Sequence, residues 1–304
     1  MYRSQTKCYL NFCFQYGQIP VPASQETLCF YMSFLARTLN PSSIPGYMNV
    51  IRFFLHSDSG FENPLQNNWE LKLLHRGISR LLGVPPKQKL PITIEILLDI
   101  AKTVNDHPSD TAFCCVCLLA FYGFMRKSTL IPMPDALARG KFIARGDVKN
   151  FTLKSFTLEV KHSKTIQFGQ KVHSLPFVLC SDARLCPLRA LLRHLGVSAL
   201  ASSTPLFDYV VSGCHVNFSH SFFIKRLRLC LVQAGRDPKE ISCHSFRRGG
   251  ATLAYLAGLS PADIKLRGDW ASSAYEKYLC VSSDSTLNSA HALSLCAASY
   301  AVRR

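Results

Sequence analysis

The chain has 304 residues, which suggests two domains, and its 48% hydrophobic and 18% charged residues are ordinary for a globular protein with a sizeable core. The formal net charge of +16 is unusual, and Lys and Arg outnumber Asp and Glu on both sides of Gln88. This balance indicates a polyanionic partner, with a basic protein that lacks one as the alternative. No uninterrupted apolar stretch reaches the ~20 residues of a membrane-spanning helix, so we expect no membrane partner.

The 13 cysteines indicate a reducing, intracellular compartment rather than a secreted disulfide framework. Their number is odd, and the polar segment from Met1 to Tyr9 does not have the pattern of a secretory signal. Cys180 and Cys186 lack the paired spacing of a zinc site. We therefore expect no metal site.

Residues 1 to 83 are predicted to be helical. The apolar pattern gives three helices, which are Thr27 to Leu39, Ile44 to His56 and Trp69 to Leu82. Asn40-Pro41-Ser42-Ser43 ends the first helix and caps the second, and Asn67-Asn68 opens the third. The apolar face predicted for the third helix consists of Leu71, Leu74, Ile78 and Leu81.

The third predicted helix also carries a basic stripe. Lys72, Arg76 and Arg80 recur at intervals of four residues, and Glu70 is the one acidic residue of that helix. The stripe is either a solvated surface or a ridge facing phosphates, and the missing acidic partners favour the ridge.

The segment from Gly83 to Pro91 is predicted to be a linker, because its three prolines remove backbone donors and favour an extended path. Lys87 and Lys89 of this segment are candidates for lying along DNA. The two domains would then form a clamp around a duplex.

The chain after the linker is predicted to be mainly α with a small antiparallel sheet. The predicted helices are Ile94 to Val104, Asp110 to Phe124, Pro187 to Leu195 and Ser221 to Ala234, followed by helical pieces from Phe246 onward. Phe142 to Lys161 has strand character and Gln170 to Phe177 is the expected return strand. The helix from Ser221 adds Lys225 and Arg228 to the candidate DNA contacts.

Five side chains form the candidate catalytic set, namely Arg126, Lys164, His244, Arg247 and Tyr278 in chain order. His244 and Arg247 are one helical turn apart, so both can face one phosphate. Tyr278 follows Arg247 by 31 residues. The cations can neutralise phosphate oxygens, and a phenol can attack phosphorus. A core histidine with a surface arginine is the alternative explanation of the His-x-x-Arg pair.

The order and spacing of this set resemble the tyrosine recombinase family. The segments Lys161-His-Ser-Lys164-Thr and Asn63-Pro-Leu-Gln-Asn-Asn-Trp69 are similar to recombinases of eukaryotic mobile elements. Both DIRS or Ngaro retroelements and Crypton transposons fit the resemblance. It implies an N-terminal helical, SAM-like core-binding domain over residues 1–83, a linker over 84–91 and a catalytic domain over 92–304.

The resemblance also implies a role for each side chain. Arg126 and Arg247 would bind the phosphate oxygens, and His244 would donate to an oxygen and accept the proton of the nucleophile. Lys164, at the turn of the predicted hairpin, would protonate the leaving 5′ oxygen. Tyr278 would be the nucleophile.

Alternatives to two of these assignments stay open. Lys161 and Lys171 flank the predicted turn and rival Lys164. Tyr275 precedes Tyr278 by about one helical turn and is its rival as nucleophile.

Two positions depart from the family pattern. Thr129 stands where the family often has an acid, three residues after the first arginine. Asp269 stands where the family usually has a His or Trp that donates to the phosphate, and Trp270 follows it. Either Trp270 takes that place or Asp269 occupies it and the site lacks this donor.

The resemblance implies cleavage and rejoining of double-stranded DNA through a 3′-phosphotyrosyl intermediate, without metal or cofactor. A homodimer would occupy each site and a tetramer would form in synapsis. A helix containing Leu287, Ala290, Leu293 and Leu295 would dock on a neighbouring subunit or on its own domain. A DNA substrate implies nuclear residence. A topoisomerase of related chemistry and an inactive DNA-binding descendant are the rival functions.

Overall fold

The computed structural model describes residues 2–52, 65, 67–84, 88–166 and 168–280. The chain divides into two compact units, Met1–Lys87 and Gln88–Arg304. Each unit has its own hydrophobic core. The roles predicted for the two domains stay predictions.

The first unit is helical. Its helices are α1 (Tyr2–Gln15), α2 (Gln25–Ala36), α3 (Ile44–Met48) and α4 (Trp69–Leu82). Tyr9, Phe12 and Tyr31 are fully buried at its centre, where the Tyr31 ring centroid is 5.0 Å from those of Tyr9 and Phe12. Aromatic packing between α1 and α2 therefore forms the middle of this core.

Helix boundaries in this unit follow the capping residues. The side chain of Ser24 accepts a hydrogen bond from the Thr27 amide, so α2 begins two residues before the predicted start. The predicted helix Ile44 to His56 is interrupted, because α3 ends at Met48, a turn follows at residues 49 and 50, and residues 51 and 52 are helical again. Residues 53–56 lie outside the described part of the chain.

Helix α4 has the predicted bounds, and the Asn68 side chain caps it by accepting from the Leu71 amide at 3.0 Å. Leu71 and Ile78 are buried as predicted, but Leu81 is 85% exposed, so its assignment to the apolar face was wrong. The reason is its position, because Leu81 lies in the last turn and at the edge of that face.

The second unit is mostly helical with two small antiparallel sheets. Its helices are α5 (Ile94–Thr103), α6 (Pro108–Tyr122), α7 (Lys127–Leu130), α8 (Pro134–Ala138), α9 (Pro187–Val197), α10 (His220–Gln233), α11 (Cys243–Leu256) and α12 (Pro261–Gly268), followed by a 3₁₀ helix, Ser273–Tyr278. Its strands are β1 (Val148–Lys149), β2 (Ser155–Val160), β3 (His173–Val178), β4 (Tyr209–Val211) and β5 (Cys214–Val216). The predicted mainly α class with a small antiparallel sheet is confirmed.

The three-stranded sheet has the order β1-β2-β3, and its central hairpin pairs Ser155 with Val178 and Val160 with His173. The loop between β2 and β3, residues 161–172, is the predicted turn that carries Lys164. The hairpin of β4 and β5 was not predicted. It turns at Ser212 and Gly213, both of which have positive φ.

Helix α6 forms the centre of the second core and packs against α9 and α11. Two consecutive glycines allow α11 to approach closely. A Cβ on Gly249 would lie 1.8 Å from the Ile92 carbonyl oxygen, and one on Gly250 would lie 2.0 Å from that of Phe121. The close approach fixes the start of α11, where His244 and Arg247 lie.

The end of the predicted linker is bound to the second unit. The amide of Leu90 donates to the Glu240 carbonyl at 2.8 Å, and the amide of Ile92 donates to the Ser245 carbonyl at 2.9 Å. Residues 85–87, and with them Lys87, lie outside the described part of the chain. Among the described residues, none of the helices is both long and apolar enough to cross a bilayer.

Candidate active site

Arg247 is the buried centre of the candidate site. Only 2% of its surface is exposed, and its guanidinium donates through Nη1 to the Phe124 carbonyl and through Nη2 to the Gly268 carbonyl, the latter at 2.7 Å. Its Nε has no hydrogen-bond partner within the described chain, and no described carboxylate lies within ion-pair distance. Burying a cation that lacks a counter-ion and a hydrogen-bond partner for one of its nitrogens costs free energy, and a bound anion would offset this cost.

Two aromatic rings lie against the Arg247 guanidinium. Its central carbon is 3.7 Å from the Trp270 ring centroid and 5.3 Å from that of Tyr278. The Trp270 and Tyr278 centroids are 5.3 Å apart. Cation–π contact with both rings holds the guanidinium plane in one orientation, and it brings the Tyr278 phenol to the arginine.

Arg126 lies beside Arg247. It precedes α7, is half-buried, and lines with Arg247 and Thr129 a small cavity of about 20 Å³. Burial lowers the pKa of Arg247, and the positive charge of Arg126 lowers it further, while Tyr278 and Asp269 offset part of the effect. Two cations that repel each other across a small cavity form a site for an anion.

His244 lies next to these cations at the start of α11, where its side chain reaches solvent. Partial burial lowers its pKa, and the charges of Arg247, Arg126, Lys127 and Lys164 lower it further. The imidazole is therefore neutral at pH 7 and can accept a proton.

A larger cavity of about 510 Å³ begins at Arg126 and His244. Its basic lining includes Lys89, Lys127, Arg228 and Lys239. Of the predicted DNA contacts in this unit, Lys89 and Arg228 therefore share a cleft with the candidate site. Lys225 is exposed on α10 but does not line this cavity.

The two candidate tyrosines occupy different environments on the 3₁₀ helix Ser273–Tyr278. Tyr275 is 6% exposed and packs between Trp270 and Lys265. Tyr278 is half-buried and faces Arg247. This geometry favours Tyr278 as the nucleophile, because only its ring lies over the guanidinium.

The three candidate lysines also differ. Lys161 forms an ion pair with Asp147, and Lys171 forms one with Asp269, both at 2.5 Å. Lys164 is exposed in the β2–β3 loop and adds to the positive charge around His244. These ion pairs weigh against Lys161 and Lys171 as the proton donor.

Asp269 does not point at Arg247. Its carboxylate accepts hydrogen bonds from Thr165 and Lys171 of the β2–β3 loop. Burial acts to raise its pKa, but these two donors and the charge of Lys171 outweigh burial and lower it. Asp269 is therefore ionised and turned away, and Trp270 occupies the space over the guanidinium.

Sequence reasoning missed Arg248. Its Nη1 donates to the Lys89 carbonyl, and its Nε donates to the Tyr278 carbonyl at 3.4 Å. Arg248 thus joins the segment before α5 to the backbone of the candidate nucleophile. Consecutive helical residues point about 100° apart, which shows that Arg247 and Arg248 cannot share a target, but the sequence does not reveal the two carbonyls.

The predicted basic stripe belongs to the first unit. Lys72, Arg76 and Arg80 are all exposed along one side of α4. Within the described ranges, no group of three or more His, Cys, Asp or Glu side chains is arranged to hold a metal ion.

Comparison with known proteins gives one relative by sequence and several by structure. No protein-family model matches the chain. It is 25% identical over 253 residues to an integrase/recombinase XerD homolog from Selenomonas ruminantium, and the alignment covers 81% of this chain and 70% of the relative.

The structure is similar to that of the XerH site-specific recombinase bound to a palindromic difH substrate in a post-cleavage complex. The TM-score is 0.57 at 12% identity, covering 93% of this chain and 75% of XerH. It is also similar to the Tn1549 transposon integrase in complex with transposon right-end DNA. There the TM-score is again 0.57 at 12% identity, covering 96% and 93% of the two chains. The chain thus shares its fold with XerH and the Tn1549 integrase, and its sequence is similar to that of an integrase/recombinase XerD homolog.

Proposed function

We propose that this protein is a site-specific DNA recombinase that cleaves and rejoins strands through a 3′-phosphotyrosyl bond to Tyr278. The observation that carries the proposal is the buried Arg247 guanidinium, whose Nε has no partner among the described residues and whose central carbon lies 5.3 Å from the Tyr278 ring centroid. A DNA phosphodiester supplies the anion that this cation lacks, next to a phenol that can attack it.

The side chains divide the reaction between them. Arg247 and Arg126 bind the non-bridging oxygens and stabilise the charge of the pentavalent transition state. The Tyr278 oxygen attacks phosphorus and gives its proton to neutral His244, the P–O5′ bond breaks, and Lys164 protonates the leaving 5′ oxygen. A 5′ hydroxyl from a second strand then reverses these steps.

The phosphotyrosine bond conserves the free energy of the broken phosphodiester, so rejoining requires no nucleotide. In this scheme, the arginines neutralise the phosphate charge that a divalent metal neutralises in other phosphoryl transfers. Exchange of two duplexes needs four active sites, so the partners are double-stranded DNA and further copies of this chain, with a dimer at each site and a tetramer in synapsis.

The segments Lys161-His-Ser-Lys164-Thr and Asn63-Pro-Leu-Gln-Asn-Asn-Trp69 support an origin in a eukaryotic mobile element of the DIRS, Ngaro or Crypton type. A nuclear location follows from such an origin and from the DNA substrate. The resemblance of the Tn1549 structure, which is that of a transposon integrase, is consistent with an element-encoded enzyme.

The test is covalent capture from a library of nicked duplexes with a randomised core. After cleavage next to the nick, a short strand diffuses away and the protein stays attached to the DNA. We expect wild-type protein to retain DNA through denaturant and to enrich one sequence class. Tyr278→Phe should retain none, while Tyr275→Phe should retain DNA as wild type does.

Other outcomes would support the rival functions. The protein could slow the migration of DNA in a native gel and yet form no denaturant-resistant adduct with any sequence class. This result would contradict the proposal and favour an inactive DNA-binding descendant. Relaxation of supercoiled DNA without enrichment of any sequence would favour a topoisomerase.

A further inference from the structure

Asp269 connects the end of α12 to the β2–β3 loop. Its backbone is left-handed, with φ 52° and ψ 50°, at the C-terminal cap of α12. One carboxylate oxygen accepts from the Thr165 hydroxyl, and the other accepts from the Lys171 ammonium at 2.5 Å. The Asp269 side chain is only 13% exposed, whereas that of Lys171 is 54% exposed, so the contact joins a largely buried carboxylate to the surface of the loop.

The two partners are six residues apart in the loop, residues 161–172. Thr165 directly follows Lys164, and Lys171 precedes β3 by two residues. A single carboxylate therefore holds the loop at two points. Without such an anchor, an exposed loop of this length samples many conformations, and ordering it for each reaction costs conformational entropy.

The anchor also connects the loop to the candidate site. Gly268, the residue before Asp269, accepts a hydrogen bond from Arg247, and the next residue, Trp270, covers the Arg247 guanidinium. Three consecutive residues, 268 to 270, thus contact both the loop and the buried arginine and fix their positions relative to each other. The ionised state of Asp269 agrees with this, because the loop contacts lower its pKa.

We propose that Asp269 is a positioning residue that holds the β2–β3 loop so that Lys164 reaches the leaving 5′ oxygen. The inference rests on the proposed function, in which Lys164 is the proton donor. This positioning role differs from that of a residue that contacts the phosphate, because the Asp269 carboxylate already accepts hydrogen bonds from Thr165 and Lys171.

Asp269→Asn is the appropriate variant because asparagine tolerates left-handed backbone better than most residues. It removes the charge that binds Lys171 and keeps the shape of the side chain. If Asp269 merely repelled the phosphate, its neutralisation would speed cleavage. If it positions Lys164, neutralisation slows cleavage.

The decisive readout is single-turnover cleavage of two substrates that differ only at the bridging 5′ atom. With oxygen, we expect Asp269→Asn to be slower by roughly tenfold or more, and Lys164→Ala by roughly a hundredfold or more, as for a lost general acid. With sulfur, the leaving thiolate needs no proton because a thiol has a pKa of about 8.5. Both variants should then approach the wild-type rate.

Asp135→Asn is the matched control. It makes the same change in net charge and breaks a surface ion pair with Arg139, so it reports any general effect of charge on DNA binding. A second readout is independent of catalysis. Amide hydrogen exchange in the β2–β3 loop should quicken in Asp269→Asn and stay at the wild-type rate in Asp135→Asn.

Two results would overturn the inference while leaving the proposed function intact. One is wild-type cleavage of the oxygen substrate by Asp269→Asn. The other is a defect of Asp269→Asn that persists with sulfur while that of Lys164→Ala is rescued. If wild-type protein forms no adduct with either substrate, the proposed function fails and this inference fails with it.

Discussion

The Arg247 guanidinium lies against the face of Trp270, 3.7 Å from the ring centroid, at the bottom of the candidate site. The carbonyls of Phe124 and Gly268 hold its Nη atoms, and its Nε has no partner in the described residues. The arginine is thus oriented before any substrate binds. Preorganised donors of this kind stabilise a transition state without reorganising during the reaction.

Arg247→Lys should reduce strand cleavage by about 10²- to 10³-fold, because an ammonium cannot satisfy two carbonyls and a phosphate with the geometry of a planar fork. Single-turnover cleavage and DNA affinity should be measured together, and affinity should change far less than rate. Arg139→Lys, in a surface ion pair, is the control. Cleavage by Arg247→Lys at the rate of this control would show that Arg247 does not act on the reacting phosphate.

Gly268→Ala should displace Trp270, since an added Cβ would lie 1.7 Å from Cζ3 of that ring. We expect a loss of about 1–3 kcal/mol in the free energy of unfolding and a change in tryptophan fluorescence. Gly196→Ala is the matched control, because no atom lies within 4 Å of its Cβ position in α9, and this change should be neutral or stabilising. Equal unfolding midpoints for the two variants would contradict the packing described.

The sequence predicted which side chains lie close together better than how they are arranged. The order of Arg126, His244, Arg247 and Tyr278 identified side chains that the structure brings together. The sequence left two alternatives for Trp270 open, because its position depends on a left-handed residue after α12 and on the absence of a Cβ at Gly268. These are requirements of backbone conformation and close packing, which side-chain periodicity does not report.

The basic stripe of α4 should contribute to DNA affinity through phosphate contacts. Replacing Lys72, Arg76 and Arg80 together with glutamine should lower the slope of log Kd against log salt by about 2 to 3, since each lost phosphate contact removes about 0.9. Fluorescence anisotropy over a range of NaCl concentrations measures this slope.

A triple variant with the same charge change is the control for the stripe. Lys102, Arg139 and Arg184 are surface cations that already pair with carboxylates, so their replacement by glutamine should leave the slope nearly unchanged. Equal slopes for the two triple variants would indicate that the α4 stripe is a solvated surface.

His194 should make the protein less stable in mild acid. Burial lowers its pKa from 6.5 to about 4, and its Nδ1 has no partner in the described residues. Between these pH values the unfolded chain binds a proton that the folded chain does not, so stability falls as pH drops from 6.5 to 4. The loss is up to about 3 kcal/mol.

Urea unfolding at several pH values measures the effect of His194. His194→Gln should flatten the pH dependence over this window, whereas the half-exposed His162, replaced in the same way, should not. An unchanged pH dependence in His194→Gln would assign the acid sensitivity to other groups.

Local signals predicted the helices of the fold better than its short strands. Asn68 caps α4 as predicted, and Ser260 caps α12 in the same way, because a side chain that accepts from a nearby amide acts within a few residues. The β4–β5 hairpin was missed, since three-residue strands have too few positions to show an alternating pattern. Its turn at Ser212-Gly213 was the one local signal.

The measurement that tests the central claim most directly is identification of the residue that becomes attached to DNA. The trapped adduct would be digested with trypsin and nuclease, and the modified peptide sequenced by mass spectrometry. Cleavage after Lys277 separates Tyr275 from Tyr278, so the two candidates fall in different peptides. A phosphodiester remnant on Tyr278 is the predicted result, and a remnant on Tyr275 or on any other residue would contradict the account.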